Sequence, residues 1–312
     1  MRGIIALTGA TGFIGSTLAP RLIAAGWHVR ALARPTSSRS HLADFPIEWI
    51  EGHLEDPTQL PAFVHGAAAV VHCAGVIRGA GQAHFQRVNA HGVGLLARAA
   101  VEQQAAPRFL LISSLAAREP SLSPYAASKR QGEVELEAAA GGMARATLRP
   151  PAVYGPGDRG LRMLFRCMQR GIGPVLGQKD ARFSLLYVDD LADAVVQWLE
   201  ARSNEPGPFE LDDGHPNGYG WEDVIGAVAR LRARRIMSIH VPEGLLVFLA
   251  RLNQMTARIV GGAPMLTLGK VRELRHPNWV CDNTAFRRVT AWQPQVSLDE
   301  GLRRTLQPAP QF

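Results

Sequence analysis

The chain has 312 residues, of which 46% are apolar and 20% charged, enough for a sizeable core and too apolar for global disorder. Its three scattered cysteines, Cys73, Cys167 and Cys281, exclude a disulfide framework or a zinc cluster and fit a reducing, cytoplasmic setting. The net charge of +7 is dispersed, densest at Arg232, Arg234 and Arg235, with no basic block interleaved with aromatics; a phosphorylated small molecule suits it better than nucleic acid.

In chain order, Gly3–Leu7 reads as a buried strand rather than a signal peptide, because no cleavage site follows it. Phe13–Ala25 has a helical pattern, with Pro20 predicting a kink. Trp27–Leu32, Ala68–His72, Phe109–Ile112 and Ala146–Leu148 are further short apolar runs. Between them Asp56–Val64, Val93–Gln104 and Pro124–Ala140 read as helices. Short apolar runs parted by helices describe a parallel sheet buried on both faces, an α/β doubly wound Rossmann fold. From Arg149 the character changes. Arg149–Gly160 reads as a crossing loop, Leu161–Gly171 as a helix, Ser184–Val188 as a strand and Asp190–Ala201 as a helix. A short strand at Phe209–Leu211 and an amphipathic helix at Gly220–Arg234 follow. Val241–Pro277 has no clear period, Gln293–Leu306 contains a last helix, and the tail Gln307–Phe312 reads as loose. No run reaches the 18 apolar residues of a membrane span; the most lipophilic, Leu245–Ala250, stops at Arg251. The expected division is a dinucleotide-binding domain at 1–154 plus 184–213 and a smaller substrate domain at 155–183 plus 214–312.

After the first strand comes Thr8-Gly9-Ala10-Thr11-Gly12-Phe13-Ile14-Gly15. The first glycine allows a tight turn, the second lets backbone approach a diphosphate, and the third permits close helix packing, while the helix start offers bare N–H groups to the anion. Gly9, Thr11, Gly12, Phe13, Ile14 and Gly15 are therefore candidate cofactor residues. The second strand ends at Ala33-Arg34 with no carboxylate near in sequence, the next being Asp44. An acid there would favour NAD(H); the Arg34 guanidinium, with Ser37, Ser38 and Arg39 close by, points to the 2′-phosphate of NADP(H).

Ser113-Ser114 ends the Phe109–Ile112 run, at the carboxyl end where these sheets bind ligands. Tyr125 and Lys129 then fall at i and i+4 on one helix face, behind a Ser123-Pro124 start. An ammonium near a phenol favours the phenolate and lets the tyrosine act as acid or base near neutral pH. Of 34 basic residues only Lys129, Lys179 and Lys270 are lysine, and one of them stands where a flexible ammonium is needed. No His, Cys or carboxylate spacing suggests a metal.

With TGxxGxxG at Thr8–Gly15 and YxxxK at Tyr125–Lys129, the chain resembles the extended short-chain dehydrogenase/reductase family, also called the NAD-dependent epimerase/dehydratase family. The resemblance implies a Ser114, Tyr125, Lys129 triad and further cofactor contacts. His53-Leu54 stands in the place of the family's Asp-hydrophobic pair beside the adenine. Cys73-Ala74-Gly75 corresponds to the segment under the diphosphate and ribose, and Asn89 to the asparagine that supports the site. Pro151 and Val153, in Arg149–Gly157, match the segment whose backbone faces the nicotinamide. Tyr187–Leu191 is similar to the family's HVxDL step, in which Asp190 would be a structural cap. Trp292-Gln293-Pro294 and Leu298–Leu302 are similar to its C-terminal ending. Members often pair as homodimers through the Tyr–Lys helix and the one before it. The implied activity is hydride transfer between NAD(P)(H) and a small-molecule carbonyl or alcohol. The alternatives are a nucleotide-sugar epimerase or dehydratase with tightly held cofactor, or a non-catalytic scaffold. Against the second, Phe183 takes the place of the usual sugar-nucleotide arginine; against the third, tyrosine and lysine are both kept. Substrate identity stays open.

Overall fold

The computed structural model describes residues 2–306 except 80, 202, 261 and 265; the tail read as loose lies outside the described residues. The apolar runs of the first half become β1 (Ile4–Thr8), β2 (His28–Ala33), β3 (Ile47–Glu51), β4 (Ala67–His72), β5 (Arg108–Ile112) and β6 (Arg145–Arg149). The helices between them are α1 (Phe13–Ala24), α2 (Leu60–Val64), α3 (Gln82–Gln86), α4 (Gly92–Val101) and α5 (Pro124–Ala139). The later elements are β7 (Ala152–Tyr154), α6 (Arg162–Gln169), β8 (Ile172–Val175), β9 (Arg182–Phe183), β10 (Leu185–Tyr187), α7 (Val188–Glu200), β11 (Phe209–Glu210) and α8 (Trp221–Arg232). They close with β12 (Met237–His240), α9 (Glu243–Val260), α10 (Leu268–Arg275), β13 (Asn278–Trp279), α11 (Thr284–Val289) and α12 (Leu298–Leu306).

The central sheet has the order β11-β6-β5-β4-β1-β2-β3, every pairing parallel. Alternate strand residues feed two cores, as a doubly covered sheet requires. Leu18 and Leu22 of α1, Leu191 and Val195 of α7 and Trp198 pack on Ile5, Leu7 and Leu110 on one face. Phe63 of α2, Leu96 of α4 and Leu136 of α5 pack on Ala6, Val70 and Phe109 on the other. A third cluster joins Tyr154, Phe165, Tyr187, Trp221 and Leu302 beyond the sheet.

Several boundaries differ from the sequence reading. Asp56–Gln59 forms turns rather than the start of α2, because the Asp56 carboxylate accepts from the Thr58 N–H and hydroxyl. The edge strand β3, unread in the sequence, is half-buried and pairs only with β2. The crossing loop contains β7, which pairs in parallel with β10. α1 runs unbroken through Pro20, which leaves the Ser16 carbonyl without its i+4 donor. The region without a clear period holds α9 and α10.

Candidate active site

The glycine turn is shaped by contacts that a side chain would destroy. Gly9 has φ +74°, and a Cβ there would lie 2.6 Å from the Ala74 nitrogen and 2.8 Å from the Cys73 carbonyl carbon. A Cβ on Gly15 would run into the Gly9 carbonyl, so α1 sits directly against the turn. Gly12 caps α1 without a side-chain hydrogen bond, and the first turn carries no acid. Thr11, Phe13 and Ile14 thus belong to a helix start whose first N–H groups are left uncapped by side chains. Thr8 braces the turn from below. Its Oγ1 accepts from the Ala74 N–H (3.2 Å) and shares a hydrogen bond with Nδ1 of His72 (2.8 Å). His72 is buried, and desolvation, helped by the charge of Lys129, pushes its pKa down to about 3. These fits meet what a bound dinucleotide diphosphate requires.

At the end of β5 the two serines divide. Ser113 Oγ donates to Glu133 Oε1 at 2.6 Å and is consumed by that bond. Ser114 opens a short 3₁₀ turn, accepts from the Ala116 N–H at 3.2 Å, and lies close enough to Tyr125 to favour its phenolate. Tyr125 stands in the first turn of α5, which Ser123 caps by accepting from the Ala126 N–H at 2.9 Å, with Pro124 at the first position. Phe85 of α3 meets the tyrosine ring edge-on, 6.2 Å between centroids. One helical turn on, Lys129 is buried and donates to the Ile112 carbonyl at 2.8 Å.

The electrostatics depart from the sequence expectation. The ammonium is tied to a backbone carbonyl, and burial is the largest influence on the phenol. Desolvation pushes Tyr125 up to about 12, the neighbouring Ser114 hydroxyl opposing it and the Glu273 carboxylate adding to it. Desolvation also lowers Lys129 to about 8, against the pull of Cys73 and Glu133. Burial raises Cys73 to about 12, which makes it an inert small side chain rather than a nucleophile.

Asn89 joins the parts. It lies in a π-type turn, Arg87–His91, between α3 and α4. Its Oδ1 accepts from the Val76 N–H at 2.8 Å, and its Nδ2 donates to the Val76 carbonyl and to Ser128 Oγ. A Cβ on Gly75 would lie 3.2 Å from Asn89 Oδ1 and 3.9 Å from Lys129 Nζ. The turn after β4, Asn89 and α5 therefore form one hydrogen-bonded unit. The Leu115 N–H donates to the Pro150 carbonyl at 2.8 Å, which sets the Pro151–Val153 stretch beside the serine turn.

Three of the site's supports were not read from the sequence. Glu133, two turns beyond Tyr125 on α5, is buried and held by Arg149 through 2.8 and 2.6 Å bonds. Glu273 of α10 accepts from the capping Ser123 and from Lys270, and is buried at the amino end of α5. His72 is the third. Helical spacing shows only their i,i+3 partners, Arg130 and Lys270; the partners that bind them into the site, Arg149 and Ser123, lie 16 and 150 residues away. A further correction concerns Asp190. Its carboxylate does not cap its own helix; it accepts from the backbone N–H groups of Gln295 and Val296, and its carbonyl accepts from Trp292 Nε1.

Arg34 and His53 stand apart from this cluster, both exposed, with Leu54 half-buried. Among the described residues Arg34 makes no ion pair or side-chain hydrogen bond. The absence of a nearby carboxylate does not hold in space: β3 places Glu51 in register with Ala33. That charge is already engaged, because Arg39 pairs with Glu51 at 2.8 Å and stacks over Trp49. Among the described residues no group of His, Cys, Asp and Glu could hold a metal ion.

Comparison with known proteins bears on this geometry. A profile of the family described as "NAD dependent epimerase/dehydratase family" matches residues 5–211. The chain is 37% identical over 279 residues to a ceramide reductase of Caulobacter vibrioides, covering 89% of this chain and 86% of the relative. It is 28% identical to a 2-alkyl-3-oxoalkanoate reductase of Stenotrophomonas maltophilia, over 96% of this chain and 97% of that one. In fold it is similar to a UDP-glucose 4-epimerase of Thermotoga maritima solved with UDP-glucose: TM-score 0.75, 21% identity, 97% of this chain and 96% of that one.

Proposed function

The chain belongs to the NAD-dependent epimerase/dehydratase family of extended short-chain dehydrogenases/reductases, NAD(P)-dependent enzymes, and on that premise we propose that it is an NADP(H)-linked reductase of a carbonyl group on an alkyl-chain substrate. The observation that carries this reading is Tyr125 in the capped first turn of α5 with the buried Lys129 one turn on, tied through Asn89 to the segment that packs on the glycine turn. When bound, the nicotinamide dinucleotide supplies or takes up the hydride. Gly9 to Gly15 hold its diphosphate, Cys73, Ala74, Gly75, Asn89 and Lys129 line its ribose side, and Pro151 and Val153 flank its reactive end. His53 and Leu54 lie toward the adenine, and Arg34 takes the 2′-phosphate. The segments 1–154 plus 184–213 serve the dinucleotide, and 155–183 plus 214–312 the substrate.

In the reducing direction the catalytic group must begin as an acid. Like any phenol, and the more so for its burial, Tyr125 is protonated at neutral pH, so it donates its proton to the substrate oxygen while Ser114 holds that oxygen in line. Lys129, charged below about pH 8, stabilises the phenolate left behind. Ser113, consumed by Glu133, is unavailable for this role.

The alkyl-chain substrate class rests on the names of the two reductases to which the chain is similar. The nucleotide-sugar reading is weakened by the side chains before β10: Arg182 pairs with Asp223 at 2.9 Å, and Phe183 packs 5.2 Å from Trp221. The test is mass spectrometry of small molecules released from purified protein, followed by NADPH oxidation assays with a long-chain 3-oxo compound and with UDP-glucose. The reading expects exchangeable cofactor and NADPH consumption with the oxo compound alone. Tightly retained NAD with epimerisation of UDP-glucose would replace it.

A further inference from the structure

α9 is an 18-residue helix with one buried face and one bare one. Leu246 and Ala250 pack on Val271 of α10. The opposite face exposes Leu245, Phe248 (62%), Leu252 (47%), Met255 (59%), Ile259 (82%) and Val260. At 100° per residue these six fall within an arc of about 140°. Just before the helix, Met237 and Ile239 of β12 are exposed as well. Scattered exposed apolar residues need no explanation; a continuous helical stripe does.

The charge of the segment that carries this stripe is one-sided. Residues 230–275 hold nine arginines and lysines against two glutamates, and the excess of seven equals the net charge of the whole chain. Both glutamates are engaged, Glu243 with Arg275 at 3.0 Å and Glu273 with Lys270 at 3.0 Å. Arg232, Arg234, Arg235, Arg251 and Arg272 are exposed and make no ion pair among the described residues. The other residues balance, 25 positive against 25 negative. A second copy of the chain seated on this face would bring two such positive patches together, which disfavours self-pairing.

We propose that α9 and its basic flanks dock this enzyme on the surface of an anionic phospholipid bilayer. An amphipathic helix with an apolar face and arginine around it lies in the plane of the headgroups, drawn by apolar burial and by anionic lipid together. Among the described residues no helix is long and apolar enough to cross a membrane, so the contact is peripheral. The position suits delivery of an alkyl-chain substrate. α9 packs on α10, and Gly269 of α10 presses on Ser123, where a Cβ would meet the serine's Cβ at 2.7 Å. One helix thus separates the docking face from the amino end of α5 that carries Tyr125. The docking itself does not depend on which carbonyl compound is reduced.

The test is co-sedimentation of the full chain with vesicles of phosphatidylcholine alone or with about 30 mol % phosphatidylglycerol, at low and high salt. The proposal expects binding to the anionic vesicles at least about tenfold tighter than to neutral ones, weakened by salt. Phe248→Glu with Leu252→Glu should abolish it, and the milder Phe248→Ser with Leu252→Ser should weaken it, both keeping wild-type melting temperature and NADPH affinity. Equal, weak sedimentation with both vesicle types overturns the proposal. So does a concentration-dependent dimer of the wild type that the glutamate pair dissociates, which would assign the face to a second copy.

Discussion

In the proposed reaction Lys129 is the residue on which cofactor and proton chemistry meet. Its ammonium titrates near 8 because burial disfavours the charged form. The charge is present below that pH and lost above it, so affinity for the polyanionic dinucleotide should fall as pH rises from 7 to 9. Fluorescence titration of NADPH checks this, and Lys129→Met should flatten the profile while weakening binding throughout. His72 makes a prediction of the other kind. Its folded pKa, about 3, lies below the ordinary 6.5, so between these values the unfolded chain takes up a proton that the folded one refuses. Its contribution to stability is whole above pH 6.5 and drains away as pH falls toward 3, at up to about 1.4 kcal/mol per pH unit. Urea unfolding between pH 7 and 4 should show a shallower loss in His72→Asn. Arg34, exposed and unpaired, should act on selectivity alone: Arg34→Ala raises the Kd for NADPH by about tenfold or more and leaves that for NADH nearly unchanged. Equal losses would move the 2′-phosphate contact elsewhere.

The elements show what patterning can and cannot carry. The glycine turn, the capped start of α5 and the Tyr125–Lys129 face were legible because each depends on neighbours within a few residues. β3 was not, because an edge strand with half-buried faces lacks the continuous apolar run of its central neighbours. Its Glu51 therefore arrived unannounced beside Ala33. The Glu133–Arg149 pair was invisible for a different reason: it joins α5 to β6 through space, and charged residues on a helix usually face solvent. Buried at both ends, this pair should be costly to break. Glu133→Gln should destabilise by about 3–5 kcal/mol, since the buried Arg149 loses its partner, whereas Arg149→Met should cost less because Arg130 still pairs with Glu133 at 3.0 Å. Glu133 has a lowered pKa, its Arg149 and Ser113 partners outweighing burial, so its contribution is present above its ordinary 4.5 and lost as pH falls below it. In the cradle, Gly15→Ala forces α1 away from Gly9, and should weaken NADPH binding more than about tenfold with a stability loss of about 1–3 kcal/mol. Isothermal titration and thermal melting separate the two effects.

At the scale of the whole molecule, a neutral catalytic body is joined to a basic, apolar-faced segment. The doubly covered parallel sheet and the carboxyl-end placement of Ser114 followed from alternation in the first half of the sequence; the order of the strands did not. The region that resisted reading, Val241–Pro277, resisted because α9 is apolar on both faces: one packs on α10 and the other is bare. Periodicity reports burial on one side and has no form for a helix with two apolar sides. The proposed activity turns on Tyr125 as the proton donor beside a bound dinucleotide. NADPH deuterated at C4 should be mixed with a long-chain 3-oxo compound and the wild-type or Tyr125→Phe protein, and the product read by mass spectrometry. The account predicts one deuterium on the new carbinol carbon with the wild type, and a rate about a thousandfold lower or less for Tyr125→Phe with NADPH affinity within a few-fold. A Tyr125→Phe protein that transfers deuterium at the wild-type rate would contradict it.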